Sequence, residues 1–238
     1  MKEKEFDKFA DNYVDLLNEK IKISGGDVDY FTEYKLIDVY SEAKTLKLTS
    51  HSKPLRILDF GCGVGSGLPY VKKYFPISNL FAADVSELSI NAAQKKFSDI
   101  AEFHLISSEN ELPSRIKNID IAYAMCVFHH IHEELHIKTL SMIRERLSNK
   151  GILVVYEHNP NNPLTVSIVN SCEFDVDAKL IDAATMVKRC KMAGYINVKV
   201  KYRVFLPTFL KWFCFIERFL TWLPLGGQYY IVCTNKND

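Results

Sequence analysis

Two short segments of the sequence carry side chains that can move a proton near neutral pH. His129 and His130 lie in the first segment, and the second contains Glu157 and His158. An imidazole titrates near neutrality, and a carboxylate can take the proton of an alcohol or an ammonium group. The pattern predicts a general base, with His130, Glu157 and His158 as the catalytic candidates. The alternative is that the histidines only fix their loop through hydrogen bonds to the backbone.

A third segment is suited to bind a ligand through its main chain. Residues 57–65 read Ile-Leu-Asp-Phe-Gly-Cys-Gly-Val-Gly, an apolar strand followed by a glycine-rich loop. Glycines allow a tight turn and a close approach of the ligand that a Cβ would block. Because Ser66 follows the last glycine, the spacing G-x-G-x-G departs from the G-x-G-x-x-G of dinucleotide sites. With Asp59 at the strand end, the loop favours a ligand that carries an amino group over a diphosphate.

From Leu55 onward, stretches typical of strands alternate with stretches typical of helices. The predicted strands are 56–60, 80–84, 102–106, 119–125, 152–157, 197–205 and 228–234. The predicted helices are 66–74, 86–97, 133–147, 182–193 and 208–223, with a weak turn near 109–116 and a glycine cap signal at 149–151. This alternation predicts an α/β fold with a Rossmann-like, doubly wound, mostly parallel sheet of seven strands. The last strand is expected to be antiparallel, because no standard crossover helix joins it to the strand before it.

The remaining residues are expected to cover this sheet as parts of one globular unit. Residues 1–53 form a predicted helical cap, and the α/β domain spans 54–238 with a lid insertion at 206–226. The cap helices are predicted at 3–22 and 30–46. The aromatic-rich segment 208–223 has an apolar arc so wide that it is either buried or meets a lipid surface. We favour a lid packed against the sheet and the N-terminal helices, with membrane contact or a lipid-linked ligand as the alternative.

The carboxyl ends of the strands indicate where a ligand lies. In an open α/β sheet, ligands bind beyond those ends, at the switch point beside the first strand. The glycine loop lies at this point, and Asp84 ends the second predicted strand. An acid at that position can accept hydrogen bonds from both ribose hydroxyls of an adenosine. Asp59 and Asp84 together therefore predict a ligand with a nucleoside part and an amino-acid part.

On these residues, the segment 55–157 resembles the class I S-adenosylmethionine-dependent methyltransferases, in particular the small-molecule branch that includes the quinone-biosynthesis enzymes. The resemblance implies S-adenosylmethionine as cofactor and S-adenosylhomocysteine as product. It also implies a set of cofactor contacts along the chain. These contacts are Tyr13, Asp59, Gly61, Cys62, Gly63, Asp84, Val85, Ser108, Glu109, Met125 and Cys126.

The family pattern suggests a role for each part of this set. The residues of the glycine loop contact the methionine end, Asp84 contacts the ribose, and Val85 flanks the adenine. Ser108 and Glu109 share the position where the family carries an acid that binds the adenine amino group. Met125 and Cys126 correspond to the floor of the methionine pocket, and Tyr13 to a tyrosine that some relatives place over the cofactor.

A wider similarity connects the chain to a bacterial subgroup associated with glycan, lipid or natural-product modification. It is carried by residues 6–13, 29–31, 157–165 and 223–230. The resemblance thus covers nearly the whole chain. For the acceptor it implies a small molecule, a sugar or a lipid-linked compound.

Composition narrows the remaining classes of function. The formal net charge of +1 and the lack of a basic stripe argue against a nucleic-acid partner. The six cysteines are scattered without a C-x-x-C pair, which favours a reducing cytosol. The sequence has no signal-peptide pattern and no run of 18 apolar residues, so a cytoplasmic protein is expected.

One further motif suggests a different chemistry. Residues 132–136 match H-E-x-x-H, the helical zinc motif of metalloproteases. No third ligand follows at the spacing of that family, and the segment opens a predicted helix, where acidic residues are favoured electrostatically. We therefore expect no metal and interpret these histidines as solvated helix-face residues.

The predicted reaction moves a methyl group from S-adenosylmethionine to an oxygen, or less favourably a nitrogen, of the acceptor. Methyl transfer from a sulfonium is an in-line displacement, in which alignment and desolvation supply most of the acceleration. Two alternatives stay open at this point. One is a non-catalytic S-adenosylmethionine-binding protein, and the other, less favoured, is a nicotinamide-dependent oxidoreductase.

Overall fold

The computed structural model describes most of the α/β domain and part of the cap. The described residues are 28–50, 53–106, 111–172, 178–206, 212 and 214–235. The predicted helix at 3–22 lies outside them, as do the three predicted cofactor contacts Tyr13, Ser108 and Glu109.

A single sheet of seven strands forms the centre of the described structure. The strands are β1 (Leu55–Phe60), β2 (Ser78–Asp84), β3 (Glu102–Leu105), β4 (Ile119–Met125), β5 (Leu147–His158), β6 (Ile196–Arg203) and β7 (Gln228–Thr234). Their order across the sheet is β3-β2-β1-β4-β5-β7-β6. Strand β7 runs antiparallel between β5 and β6, and the other neighbours pair in parallel. The prediction of a doubly wound, mostly parallel sheet with an antiparallel last strand is confirmed.

Helices cover both faces of this sheet. The α-helices are α1 (Val28–Thr45), α2 (Leu68–Tyr74), α3 (Glu87–Phe97), α4 (His136–Arg146), α5 (Pro163–Asn170), α6 (Ala183–Met192) and α7 (Cys214–Leu220). Three of them begin where a side-chain oxygen accepts a hydrogen bond from a backbone N–H of the first turn. The capping residues are Ser86, Asn162 and Asp182. Such caps satisfy an N–H that the helix itself leaves without a partner.

Two apolar clusters pack on opposite faces of the sheet. Successive side chains of a strand point to opposite faces, so Ile57 and Leu58 enter different clusters. One cluster joins the strands to α4 and α6, and the other joins them to α1, α2 and α3. Burial on both faces explains why the central strands read as nearly continuous apolar runs.

The helix predicted at 133–147 is shorter at both ends than the sequence pattern suggests. A 3₁₀ turn occupies Glu133–Leu135, so α4 begins at His136, and it ends at Arg146. The predicted cap at Gly151 is wrong, because this glycine lies inside β5. A Cβ added there would lie 2.5 Å from the carbonyl oxygen of Ile119. The glycine is therefore explained by close approach of two strands rather than by helix termination.

Buried polar contacts hold α1 against the antiparallel end of the sheet. Asp38 accepts hydrogen bonds from the hydroxyl of Tyr156 on β5 and from Arg203 Nε on β6, the latter at 2.8 Å. One turn further on, Glu42 accepts a hydrogen bond from the Tyr230 hydroxyl at 2.7 Å. A buried carboxylate needs such partners, because it loses its hydration on folding. These contacts fix the position of α1 beside the carboxyl end of β5 and the amino end of β7.

The lid region is tied to α1 and β6 through one buried carboxylate. Glu217 on α7 accepts hydrogen bonds from the backbone N–H groups of Phe205 and Leu206, each at 3.0 Å, and from the Tyr34 hydroxyl. On the outer side of the same segment, Trp212 and Trp222 are 81% and 73% exposed. Among the described residues, no helix has the length and apolar character needed to cross a membrane.

Candidate functional site

The glycine loop follows β1 and turns sharply at its first glycine. The backbone N–H groups of Gly61 and Cys62 both donate to the carbonyl oxygen of Ala83 on β2, at 2.7 and 3.1 Å. Gly61 has φ of +79°, and a Cβ added there would lie 2.4 Å from a methyl group of Val127. This glycine is therefore required both by its backbone conformation and by the close approach of the chain after β4.

The next glycine of the loop, Gly63, is not crowded by any described residue. It has φ of +52°, and an added Cβ would meet no atom of the described residues within 4 Å. Its backbone N–H donates to Asp84 Oδ2 at 2.7 Å, and Asp84 Oδ1 accepts from the N–H of Ser86 at 2.9 Å. Val85, between the two, is buried. The loop and the end of β2 thus border one open surface at the carboxyl edge of the sheet.

Asp59 lies at the end of β1, buried beneath this loop. In the sheet register it stands opposite Tyr123 of β4. Burial raises the pKa of Asp59 to about 7; the neighbouring Tyr123 hydroxyl lowers this pKa and the charge of Asp84 raises it. Since burial penalises the carboxylate form, a cation that binds beside Asp59 would favour its ionisation. The arrangement suits a ligand with an amino group.

The chain after β4 places a cysteine close to the loop. Cys126 follows Met125, has φ of +59° and donates its N–H to the carbonyl oxygen of Tyr156 at 2.9 Å. Its Sγ lies 3.3 Å from Lys35 Nζ on α1 and 3.8 Å from Gln228 Nε2 on β7. Three elements that are far apart in the sequence therefore meet at this sulfur.

Glu157 forms a buried pair with a histidine of the loop after β4. Its Oε1 accepts from the backbone N–H of Phe128 at 2.8 Å, and its Oε2 lies 2.5 Å from His129 Nδ1. Burial by itself would raise the pKa of Glu157, but His129, His158 and the Phe128 N–H hold it below its ordinary value. Both carboxylate oxygens of Glu157 are thus engaged inside the protein, by the Phe128 N–H and by His129.

The two other catalytic candidates lie next to this pair. His158 ends β5, is partly exposed, and its ring centroid is 5.3 Å from that of His129. His130 is also partly exposed, and its ring centroid lies 4.1 Å from that of His129, with the two rings tilted by 50°. The structure therefore brings His130, Glu157 and His158 together around His129. Whether they take part in catalysis stays a prediction.

The loop after β5 positions the start of β7. The Asn159 side chain donates to the carbonyl oxygen of Gly226 at 2.7 Å and to that of Pro224 at 3.1 Å. Asn162 Nδ2 donates to the carbonyl oxygen of Leu225 at 2.8 Å. The asparagines of this loop therefore satisfy the turn that delivers Gln228 to the site.

The H-E-x-x-H motif does not form a metal site. His136 is buried, with Nε2 at 2.8 Å from the carbonyl oxygen of Ile131 and Nδ1 at 2.7 Å from Arg189 Nη1. His132 is exposed and precedes a 3₁₀ turn, so the two rings do not share a helical face. Their interpretation as solvated residues is correct for His132 and wrong for His136, because the turn carries the second ring into the core. Across the described ranges, no group of three or more His, Cys, Asp or Glu side chains could hold a metal ion.

Three residues of this edge were not found from the sequence: Lys35, Tyr123 and Gln228. Tyr123 is a polar side chain in an otherwise apolar strand, which was an available signal. Gln228 comes directly after the turn signal Pro224–Gly227, at the start of a predicted strand. Lys35 is one of two lysines on α1, and only the docking of this helix distinguishes it.

Comparison with known proteins agrees with this geometry. Residues 58–153 match the family described as a methyltransferase domain. The match begins at the end of β1 and includes the loop, Asp84 and Cys126. It ends within β5, before Glu157.

Solved structures share the whole fold at low sequence identity. The plantazolicin methyltransferase BpumL in complex with S-adenosylhomocysteine superposes with a TM-score of 0.63 at 18% identity, over 97% of this chain and 99% of that chain. A TehB-like S-adenosylmethionine-dependent methyltransferase from Corynebacterium glutamicum gives 0.60 at 15% identity, over 96% and 99% of the two chains. These likenesses show the fold.

One curated relative is an uncharacterised protein of Methanocaldococcus jannaschii. It is 25% identical to this chain over 166 residues, which cover 70% of this chain and 66% of the relative. The chain thus spans just under two thirds of that relative's length.

Proposed function

We propose that this chain is a class I S-adenosylmethionine-dependent methyltransferase and that it transfers the methyl group to an oxygen of a small molecule, a sugar or a lipid-linked acceptor. The buried Asp59 beneath the open surface of the glycine loop is the observation that carries this proposal. It supplies a partner for an ammonium group, which S-adenosylmethionine has and nicotinamide dinucleotides lack. An acceptor of small size is also supported by a neighbour, BpumL, which was solved with a triazolic desmethylplantazolicin analogue.

The donor would be held by the carboxyl ends of β1 and β2. Asp59 binds the amino group of the methionine part, and the backbone of Gly61, Cys62 and Gly63 follows its chain. Asp84 accepts hydrogen bonds from the ribose hydroxyls, and these replace the hydrogen bond that it accepts from the Gly63 N–H when no ligand is bound. When bound, the cofactor supplies an electrophilic methyl group on a positively charged sulfur.

The acceptor would enter from the ends of β4, β5 and β7. His158 and His130 border this side, and Glu157 holds His129 in place between them. An alcohol is a poor nucleophile until its proton leaves, so a group that receives or passes on that proton accelerates transfer. We assign proton movement to this cluster, with Glu157 as a positioning residue.

Parallel calorimetric titrations with S-adenosylhomocysteine and NAD test the proposal. We expect heat and 1:1 binding with the first ligand and none with the second. Absence of binding to S-adenosylhomocysteine would overturn the cofactor assignment. Binding of NAD instead would favour an oxidoreductase.

A second experiment separates an enzyme from a protein that only binds the cofactor. S-adenosylmethionine with a labelled methyl group is incubated with a panel of hydroxylated small molecules, sugars and lipid-linked sugars. Transfer to one class identifies the acceptor, and His158→Ala is expected to lower kcat by about 100-fold. His132→Ala, which changes an exposed histidine near the same loop, is the matched control. Cofactor binding without transfer to any acceptor would favour the non-catalytic alternative.

A further inference from the structure

Gln228 has an oxygen that no part of the described protein satisfies. Its side chain lies at the carboxyl edge of the sheet with the residue only 9% exposed, and its Oε1 has no hydrogen-bond partner among the described residues. The Nε2 atom of the same amide lies 3.8 Å from Cys126 Sγ and 3.5 Å from His158 Nδ1. A buried amide oxygen without a partner carries a free-energy cost. A ligand that donates a hydrogen bond to Oε1 would remove this cost.

The sulfur beside Gln228 is surrounded by hydrogen-bond donors. Lys35 Nζ and Gln228 Nε2 both approach Cys126 Sγ, and neither can accept the thiol proton in those contacts. Burial raises the pKa of Cys126, and the charge of Glu157 raises it as well. Lys35 and His158 lower it by more than these two effects together, so that the pKa falls from its ordinary value to about 6. The sulfur is therefore mostly thiolate at neutral pH, and its ordinary pKa would leave it mostly protonated.

This thiolate faces the side where the donor is proposed to bind. Cys126 comes directly before Val127, whose methyl groups contact Gly61 of the glycine loop. It also lies at the carboxyl end of β4, beside the carboxyl end of β1. Cys126 and Gln228 thus lie at the carboxyl edge of the sheet, between the glycine loop and the half-buried ring of His158.

We propose that Cys126 Sγ receives the proton of the acceptor's reacting hydroxyl, and that Gln228 Oε1 accepts a hydrogen bond from a second donor group of the same acceptor. The inference rests on the proposed methyl transfer and extends it to a substrate class. That class is a compound with two neighbouring hydrogen-bond donors, such as two adjacent hydroxyls. A compound with a single hydroxyl would leave the amide oxygen unsatisfied.

The step balances without any further reactant. The O–H bond of the acceptor breaks and its proton goes to the Cys126 thiolate, while the acceptor oxygen forms a bond to the methyl carbon. The bond between that carbon and the sulfonium sulfur breaks, and its electron pair stays on the sulfur of S-adenosylhomocysteine. The proton then passes from Cys126 to His158 and from there to water.

Alkylation by iodoacetamide tests the thiolate without any knowledge of the acceptor. The rate of Cys126 modification is measured by peptide mass spectrometry between pH 5 and pH 9, for the wild type and for Lys35→Met. We expect the alkylation rate of the wild type to have its inflection near pH 6. In Lys35→Met the inflection should lie about one to three pH units higher, because the cation beside the thiolate is lost. Gln228→Leu, which removes one donor from the sulfur, should raise the inflection as well.

Lys44→Met is the matched control, because Lys44 lies exposed on the same helix and away from the sulfur. The buried Cys190 and Cys233 serve as internal references, and circular dichroism checks the fold of each variant. An inflection below pH 8 that Lys35→Met or Gln228→Leu raises supports the thiolate. A wild-type inflection at pH 8 or above, or one that neither variant moves, overturns the proposal.

Kinetics with the acceptor found by the labelled-methyl screen test the proposed roles of Cys126 and Gln228 in the reaction. Cys126→Ser should lower kcat by about 100-fold and remove the acidic limb of the pH–rate profile near pH 6.

Gln228→Leu should raise KM for an acceptor with two neighbouring donors and leave KM unchanged for its mono-O-methylated analogue. An unchanged pH profile in Cys126→Ser, or an equal change of KM for both acceptors in Gln228→Leu, overturns the inference while methyl transfer stands. If no acceptor is methylated although S-adenosylhomocysteine binds, the proposed function has failed, and the alkylation profile still decides whether Cys126 is a thiolate.

Discussion

The proposed donor side and the proposed acceptor side of this site are built in different ways. The donor side comes from β1, β2 and the loop between β1 and α2, so its residues lie within about 30 positions of one another. Much of it is main chain, with Gly61 and Gly63 turning the backbone toward the ligand. The acceptor side joins Lys35, Cys126, His158 and Gln228, which come from four separate parts of the chain.

The two sides also differ in charge. Asp59 and Asp84 make the donor side acidic, which suits a cofactor that carries an ammonium group and a sulfonium. The acceptor side mixes Lys35 and two histidines with a thiolate and the buried carboxylate of Glu157. The charge of one side therefore suits a bound cation, and the groups of the other side suit the proton transfer that we propose.

The largest expected effect is loss of stability in Glu157→Gln, because this change disrupts the buried pair with His129. Removal of one partner from such a pair costs about 3 kcal/mol of unfolding free energy. Urea unfolding at pH 7 measures it. The pKa of Glu157 in the folded protein lies below its ordinary value, so the ionised carboxylate stabilises the fold at pH values above the pKa of the unfolded chain. This stabilisation is lost as the pH falls through the pKa of the folded protein. The difference between variant and wild type should therefore shrink below about pH 4.5. An equal difference at pH 7 and pH 4 would contradict the ion pair.

Asp59→Asn should weaken the binding of S-adenosylhomocysteine by about 30-fold, because it replaces a hydrogen bond to a charged group by a neutral one. Calorimetric titration at pH 8, where the wild-type carboxylate is ionised, gives the ratio of the two Kd values. Asp99→Asn, at an exposed position after α3, should bind as the wild type does. Equal weakening by both variants would remove Asp59 from the donor side.

The pH dependence of wild-type binding sharpens the same point. The pKa of Asp59 is about 7 without ligand, and the ammonium group binds the ionised form. Affinity for S-adenosylhomocysteine should therefore rise with pH and level off above about pH 7, with a loss approaching tenfold per unit below it. Calorimetry at several pH values between 5.5 and 8.5 measures the curve. In Asp59→Asn the curve should be flat over this window, and a slope that persists would point to another group.

The smallest effects should distinguish the two loop glycines. Gly61→Ala introduces a Cβ against Val127 in a left-handed backbone position, so we expect it to lower stability by about 2 kcal/mol. Gly63 is left-handed too, but the added Cβ of Gly63→Ala would meet no atom of the described residues, so we expect a cost in stability of about 1 kcal/mol. Thermal unfolding and S-adenosylhomocysteine titration are measured for both variants. If Gly63→Ala binds the ligand as tightly as the wild type, the open surface above Gly63 is not the cofactor surface.

Most of the donor side could be predicted from the sequence because it is local. Strand β1, its glycine loop and the acid that ends β2 appear as a continuous pattern of apolar, glycine and acidic residues. The sheet was also predictable, since burial on both faces leaves a clear apolar signal in each strand. Even so, the signal at Gly151 was misinterpreted, because a close contact between strands and a helix end both favour glycine.

The acceptor side could not be predicted in the same way, and the reason is physical. Hydrophobic periodicity specifies which face of a strand or helix is buried, but not which side chains of distant elements meet at an edge. For Cys126 the family resemblance suggests only a place in the methionine pocket, and its pKa depends on Lys35 and His158, which the packing of α1 and β5 brings to it. Glu157 shows the same dependence, because the sequence indicates a carboxylate at the end of a strand and only the structure shows that both its oxygens are engaged. The sequence alone thus determined the fold and the acidic, glycine-lined donor side, whereas tertiary packing decided which groups stand together where the acceptor is proposed to react.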